Sequence, residues 1–448
     1  MSQRLVKNDP RTIWGFAMYD WANSAYITTF GAVIGFFFAD TIVPDEGYWG
    51  MDGQTLWAFI VGTASLLLFI VMPVLGTVTD YAPAKKRFLR NFAVLGALTT
   101  MGLAFVPDDA VGWFLLVALI TNIFFVAANV FYDSFLPIIT TDETIDEVSS
   151  KGFAYGYIGG GIYLALGAAV IFLSDSGVIG FSETTAFRVV IGGAGLWWLG
   201  FSVVSLIRLT EDEDVKEMPA EFREGSRWAA YTRLGFREVW ATTKKLRQFR
   251  AVLLFVIAFF LYSNGINTVI AMSGPYAADT LRLTQTDVII TFLIVQFVAF
   301  GGALFFGWLA NRIGTKPAIV ISLVIWSGLA IAGFLLPAEQ SIPFYALGAG
   351  VGLVLGGSQA LSRSLYGSMI PEDSSAEFFG FFTVFSKASA ILGAWAFAIT
   401  AALTGEGRLA ILSVIVFFIS GLLVLLRVDV EEGRASRDEW ATVGAEAE

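Results

Sequence analysis

Twelve apolar segments, each near 20 residues, run along this chain and constrain its fold more than any other feature. They lie at about 12–40, 56–78, 89–107, 111–138, 152–174, 187–207, 250–273, 287–310, 317–336, 343–366, 378–403 and 408–427. About 20 apolar residues wound as a helix cross the hydrocarbon core of a bilayer. Lipid offers backbone groups no hydrogen-bond partners, so such segments must be helices that satisfy themselves. The pattern therefore predicts an all-α polytopic membrane protein with 12 transmembrane helices. Composition agrees: only 15% of residues are charged, against roughly 25% in soluble proteins, and 56% are hydrophobic.

The 448 residues contain no cysteine and no histidine. Disulfides, thiolate sites and imidazole chemistry are excluded, and no metal site is expected. Proton chemistry must use carboxylates, Lys or Tyr. No G-x-x-x-x-G-K-[ST] loop is present, so ATP is not the expected energy source. With no H-E-x-x-H pattern either, a membrane enzyme is disfavoured.

Basic residues set the orientation. With both termini cytoplasmic, Arg188, Arg282 and Arg408 alone fall outside and Lys387 lies within a span, leaving 24 of the 28 Lys and Arg inside. This positive-inside bias predicts an even number of spans with the N and C termini in the cytoplasm. The first residues have no short apolar core with a cleavage site, so no signal peptide is expected. Asp9-Pro10 reads as the cap and first turn of the first helix.

The longest polar stretch, 209–249, divides the chain. It opens with Glu211-Asp212-Glu213-Asp214. Further on, Trp228, Leu234, Val239, Trp240, Thr243 and Leu246 approximate one apolar helical face, predicting an amphipathic helix at the cytoplasmic interface. The expected organisation is an N-terminal six-helix half (1–208), this linker, a C-terminal half (250–428) and an acidic cytoplasmic tail (429–448).

An internal repeat supports two halves. Gly76, Asp80, Pro83 and Lys85 close the second span, and Gly307, Asn311, Gly314 and Lys316 close the eighth, at an offset of 231 residues throughout. Duplicated units are a mark of secondary transporters.

The repeated pattern G-x-x-x-[DN]-x-x-[GP]-x-K resembles the loop 2–3 and loop 8–9 signature of the major facilitator superfamily. That resemblance implies a gating role for Gly76, Asp80, Lys85, Gly307, Asn311, Arg312, Gly314 and Lys316. The first copy departs from it at Tyr81 and Pro83, the second at Asn311. YDWANSAY (19–26), VSSKGFAYGYIGGG (148–161), GGSQALSRSLYGSMIP (356–371) and SKASAILG (386–393) resemble the UMF1 family, the branch that includes the autophagy-related vacuolar effluxers. The likeness spans nearly the whole chain and implies amino-acid-like transport. One departure lies in span seven, where Asn264 stands at a position that is often acidic in the family.

A major-facilitator arrangement implies that spans 1, 4, 7 and 10 line a central cavity. Those spans carry the candidate binding and coupling residues: Tyr19, Asp20, Asn23 and Ser24; Tyr132 and Asp133; Asn264 and Asn267; Gln359 and Arg363. Lys387 in span eleven lies beside them. Asp20 is six residues past Trp14, a candidate interface aromatic, and so roughly 9 Å deeper. Asp133, Arg363 and Lys387 fall in the same cytoplasmic half, so two acids and two bases are expected at similar depth. A charge at the bilayer centre costs about 2.5–3.5 kcal/mol on insertion scales, and such residues are usually paired or functional. Arg363 alone could instead snorkel to the headgroups, and Asp20 could form a static salt bridge with Arg363 or Lys387.

The leading expectation is a secondary active transporter for a small polar or zwitterionic solute, amino-acid-like, working by alternating access. A cation-coupled glycoside symporter and an amphiphile or lysolipid transporter are the alternatives. No cofactor is expected beyond coupling to H⁺ or Na⁺. The partners expected are the solute and the lipid bilayer, with no nucleic acid, in a monomer at the plasma membrane of a prokaryote.

Overall fold

The computed structural model describes residues 6–53, 55–57, 59, 63, 67, 75–76, 84–211, 237, 249–404 and 407–445. Described side chains exclude those at 279, 384, 387–392, 394, 398, 401–402 and 438–445. Among the described residues the chain is helical throughout, apart from loops and one isolated bridge between Tyr48 and Met51.

The helices are α1 (Pro10–Thr29, extended by π-wound turns to Ile42), α2 (Lys85–Leu103), α3 (Val111–Asp133), α4 (Ile145–Asp175) and α5 (Glu183–Arg208). There follow α6 (Arg250–Pro275), α7 (Gln285–Ile313), α8 (Thr315–Leu335), α9 (Ser341–Met369), α10 (Ser375–Thr404), α11 (Gly407–Leu426, with a turn at Val414) and α12 (Val430–Ala445). Among the described residues, nine are long and apolar enough to cross a membrane. Helices α2 and α10 occupy two further expected spans. The segment 56–78 lies mostly outside the described residues, as do Asp80 and the amphipathic helix expected near 226–249.

Local signals explain the boundaries. Asp9 caps α1 by accepting from the Thr12 backbone N–H at 3.0 Å, with Pro10 in the first turn as expected. Thr284 and Asp287 form a reciprocal capping box at α7. Gly314 ends that helix at φ 92°, backbone that favours glycine, and α8 starts at the next residue.

Two boundaries differ from expectation. The fifth span begins at Ile145 rather than near 152, because Asp146 is buried rather than solvated. Its carboxylate accepts hydrogen bonds from the hydroxyls of Ser364 and Thr315, the latter at 2.6 Å. The region expected as an acidic tail forms α12, which packs Gly433 against Met369 and Ala251.

Two large apolar cores and a smaller one around Tyr276, Leu281 and Phe344 form among the described residues. Of the large ones, one surrounds Tyr19, Tyr26, Tyr132 and Trp198, the other Tyr262, Trp326, Tyr366 and Phe418. Small residues let helices meet closely where lipid gives apolar side chains no advantage. A Cβ on Gly352 or Gly356 of α9 would fall 2.7 or 2.5 Å from the carbonyl oxygens of Val295 or Ala299 on α7.

Both terminal segments meet at one end of the bundle. There Lys7 pairs with Glu372 at 2.6 Å, Arg437 with Asp142 at 2.9 Å, and Lys85 donates to Ser375 at 3.0 Å. At the opposite end Arg188 binds Asp108 at 2.7 Å and the carbonyls of Ala104 and Val106, and Arg408 binds the carbonyl of Phe334.

Candidate functional site

Arg363 stands on α9 and extends across the seam into a pocket made by α1, α3 and α4. Its side chain is 3% exposed, so it does not snorkel to the headgroups. One guanidinium nitrogen lies 2.9 Å from Asp133 and 3.3 Å from Asp20. The Nε donates to the Ser149 hydroxyl at 3.0 Å, and the other nitrogen donates to the Ser149 carbonyl at 2.9 Å. Tyr132 donates to Asp20 at 2.8 Å. The rings of Phe153, Phe16 and Tyr132 lie 4.3, 5.3 and 5.5 Å from the guanidinium carbon. A planar, permanently charged fork with five donors suits such a multi-partner burial better than a lysine would.

Helix geometry brings these groups together. Asp133 is the last residue of α3, where the helix releases its side chain toward the seam. Gly152 on α4 leaves the space the cluster fills: a Cβ there would lie 2.6 Å from Asp20 Oδ2, 2.8 Å from Arg363 Nη2 and 3.1 Å from Tyr132 Oη. The cluster holds two carboxylates against one guanidinium. Deep burial of charge is tolerated only with such dense pairing, and removing one partner typically costs about 3–5 kcal/mol.

The other expected site residues are distributed around this centre. Tyr19 packs on Tyr132 with ring centroids 4.7 Å apart. Asn23 donates to Asn129 at 2.8 Å, tying α1 to α3, and Ser24 bonds back to the carbonyl of Trp21. Gln359 accepts from Tyr157 of α4 at 2.5 Å, across the seam. Asn267 donates to the carbonyl of Ser386 at 3.3 Å, joining α6 to α10. Asn264 is fully buried on α6, and among the described residues its amide has no hydrogen-bond partner. The side chain of Lys387 lies outside the described residues, so only its place on α10 is given; the described ionic partner of Asp20 is Arg363.

The gating candidates fall at the end where the termini meet. Gly307 packs against Ser150 of α4, where a Cβ would lie 2.5 Å from the hydroxyl oxygen. Gly76 packs in the same way against the backbone of Ala376 and Glu377 at the start of α10. Lys316 donates to the carbonyls of Leu426 and Val428 at 3.0 and 2.7 Å. Asn311 and Arg312 are exposed, with Arg312 over the Trp308 ring, and they take no described place at the seam. Ser149, Gly152, Tyr157 and Asp146 escaped the sequence reading. The first three lie within the stretch VSSKGFAYGYIGGG, which its family resemblance marked as a whole without singling out these residues.

A bundle with nine membrane-length helices among the described residues, and charges buried where its N- and C-terminal parts meet, has the architecture of a membrane transporter of the major facilitator superfamily. Solved structures share the fold. FucP in its outward conformation aligns with TM-score 0.70 at 12% identity, covering 94% of this chain and 99% of that one. The proton:xylose symporter XylE aligns with TM-score 0.64 at 15% identity, covering 95% and 97%. Residues 47–438 match the family described as "Vacuole effluxer Atg22 like", and the chain belongs to that family. It is 31% identical over 431 residues to the uncharacterized MFS-type transporter YxiO of Bacillus subtilis, covering 96% of this chain and 97% of that one. It is 24% identical to autophagy-related protein 22 of Kluyveromyces lactis, covering 89% and 84%. The chain is thus a multi-pass transporter and not an enzyme.

Proposed function

We propose that this transporter moves a small polar or zwitterionic solute, amino-acid-like, by alternating access across a prokaryotic plasma membrane. The observation that carries the reading is the buried trio of Asp20, Asp133 and Arg363 at the seam. Two carboxylates and one guanidinium leave a single negative charge to balance. A solute ammonium group, a proton or a sodium ion supplies that balance, and the solute carboxylate competes for Arg363. Separation of the halves then follows replacement of protein–protein ion pairs by protein–solute ones.

Cation-coupled symport of a neutral sugar is the second reading, favoured by the likeness in fold to the proton:xylose symporter XylE and the fucose:proton symporter FucP. Uptake into proteoliposomes with a panel of amino acids, sugars and lysolipids, with and without a pH gradient, separates the two. Under the amino-acid reading, zwitterions are carried, and transport is lost in Asp20→Asn and Asp133→Asn. Transport of sugars alone, or full amino-acid transport by both variants, would sink it.

A further inference from the structure

Outward of the charged trio, two glutamines of the C-terminal half reach across the seam. Gln296 of α7 donates from Nε2 to the Thr28 hydroxyl of α1 at 3.1 Å. Gln359 of α9 accepts at Oε1 from the Tyr157 hydroxyl of α4 at 2.5 Å. Among the described residues, the Gln296 bond is the outermost hydrogen bond between the halves. The described bonds across the seam thus run from the cytoplasmic end to the level of Gln296, near the middle of α7 (Gln285–Ile313).

Helix α4 sets the spacing. Gly152, Gly156 and Gly160 recur every four residues and share one of its faces. A Cβ on Gly152 would meet Asp20 and Arg363, and one on Gly156 would meet Asp20 Cβ at 3.4 Å. One on Gly160 would meet Thr28 Oγ1 at 2.6 Å and Gln296 Nε2 at 2.8 Å. Eight residues of helix separate the first level from the last, about 12 Å. Tyr157 and Gly160 are three residues apart, so the two glutamines meet neighbouring positions on α4.

This upper level is neutral. The sequence has no charged residue between Asp20 and Asp40 on α1, between Lys151 and Asp175 on α4, or between Asp287 and Arg312 on α7. Each glutamine has one end of its amide occupied and the other free. The Oε1 of Gln296 and the Nε2 of Gln359 make no hydrogen bond among the described residues, and neither atom is sealed from solvent. The pair therefore offers one acceptor and one donor. A solute amide or hydroxyl carries both complements, whereas an apolar group would desolvate the two ends and leave them unpaired. We propose that Gln296 and Gln359 form a subsite that selects solutes with an uncharged amide or hydroxyl side chain. The subsite rests on the amino-acid reading above: the zwitterionic end meets the trio, and the side chain extends outward to the glutamines.

The test is uptake by proteoliposomes of the full chain, using near-isosteric pairs: threonine against valine, and asparagine against leucine. The parent should favour threonine and asparagine by about tenfold or more in kcat/KM, because a site built to hydrogen-bond a group rejects the analogue lacking it. In Gln296→Leu and Gln359→Leu that ratio should fall several-fold toward one, through a raised KM for the polar member. Gln285→Leu, at the exposed glutamine that opens α7, should keep the parent ratio. Equal handling of each pair by the parent, a comparison that needs no variant, would overturn the subsite and leave the amino-acid reading standing. So would a preference that both variants keep in full. Carriage of none of the four amino acids would sink that reading, and the subsite with it.

Discussion

Arg363 and Asp20 belong to opposite halves of the bundle, yet their charged atoms lie 3.3 Å apart, with the side chains 3% and 13% exposed. The two halves are thus fastened by charge, at a depth where charge has few other partners. Opening this end requires the pair to separate and each member to find a replacement.

Removing the cation should therefore loosen the seam. Arg363→Gln leaves Asp20 and Asp133 buried without their shared partner, at a cost of about 3–5 kcal/mol. Because the chain has no native cysteine, Ser150→Cys can report directly by alkylation. That position lies behind Gly307 and should be protected in the parent and reactive in Arg363→Gln. Equal labelling of the two would contradict a role for Arg363 in closure.

Gly152 offers the same disturbance without a change of charge. Gly152→Ala places a methyl group 2.6 Å from Asp20 Oδ2 and 2.8 Å from Arg363 Nη2, so the pair must move apart. Transport should be lost and the Ser150→Cys reporter should become reactive. Gly200→Ala on α5, where no atom lies within 4 Å of the added carbon, should leave transport unchanged.

The α12 helix predicts a milder effect at the same end. Arg437 holds Asp142 through two contacts, 2.9 and 3.3 Å, and also donates to the Ser368 carbonyl at 3.2 Å. Both side chains are partly exposed, so solvent screens the pair and its contribution is only about 0.2–1 kcal/mol. Arg437→Gln should raise reporter labelling several-fold less than Arg363→Gln does. A larger effect than that of Arg363→Gln would place the main fastening at the surface.

Asp9 gives a prediction with pH. The Thr12 hydroxyl and the Thr12 and Arg11 backbone N–H groups bind its ionised carboxylate and hold its pKa below the ordinary 3.8. A depressed carboxyl stabilises the fold fully above its unfolded pKa and loses that contribution as pH falls through the folded value. Asp9→Ala should lower the thermal midpoint in detergent at pH 7, by the equivalent of about 1 kcal/mol for a lost N-cap. The gap between parent and variant should narrow as the pH drops below about 4. A gap constant down to pH 3 would rule out the ionised cap as its cause.

Some of this was legible in the sequence because it follows local rules. Apolar run length pointed to the spans that the described helices occupy and Asp9-Pro10 to the first cap, whereas the first of the two repeated loops lies mostly outside the described residues. Asp20, Asp133 and Arg363 could be placed at one depth by counting residues along helices. Ser149 and Gly152 could not, because their importance lies in a guanidinium arriving from more than 200 residues away. The same holds for Asp146, whose acid near a span boundary reads as loop until Ser364 and Thr315 are seen to cover it. Nor did composition alone show that the segment after Asp429 forms a helix against Met369. Local pattern fixes what each helix is, whereas partners across the seam depend on how the helices are arranged.

The glycines at the two related loops carry one more consequence. Gly76 rests on the helix entry at Ala376, and Gly307 rests on the entry at Ser150, each half placing its bare backbone against the other. A rotation about the axis relating the halves lifts both contacts in the same motion. The two act as one fastening, so a bulky residue at either site should already forfeit most of what the pair supplies. Substituting both should add little more, in contrast to the additivity expected of independent positions.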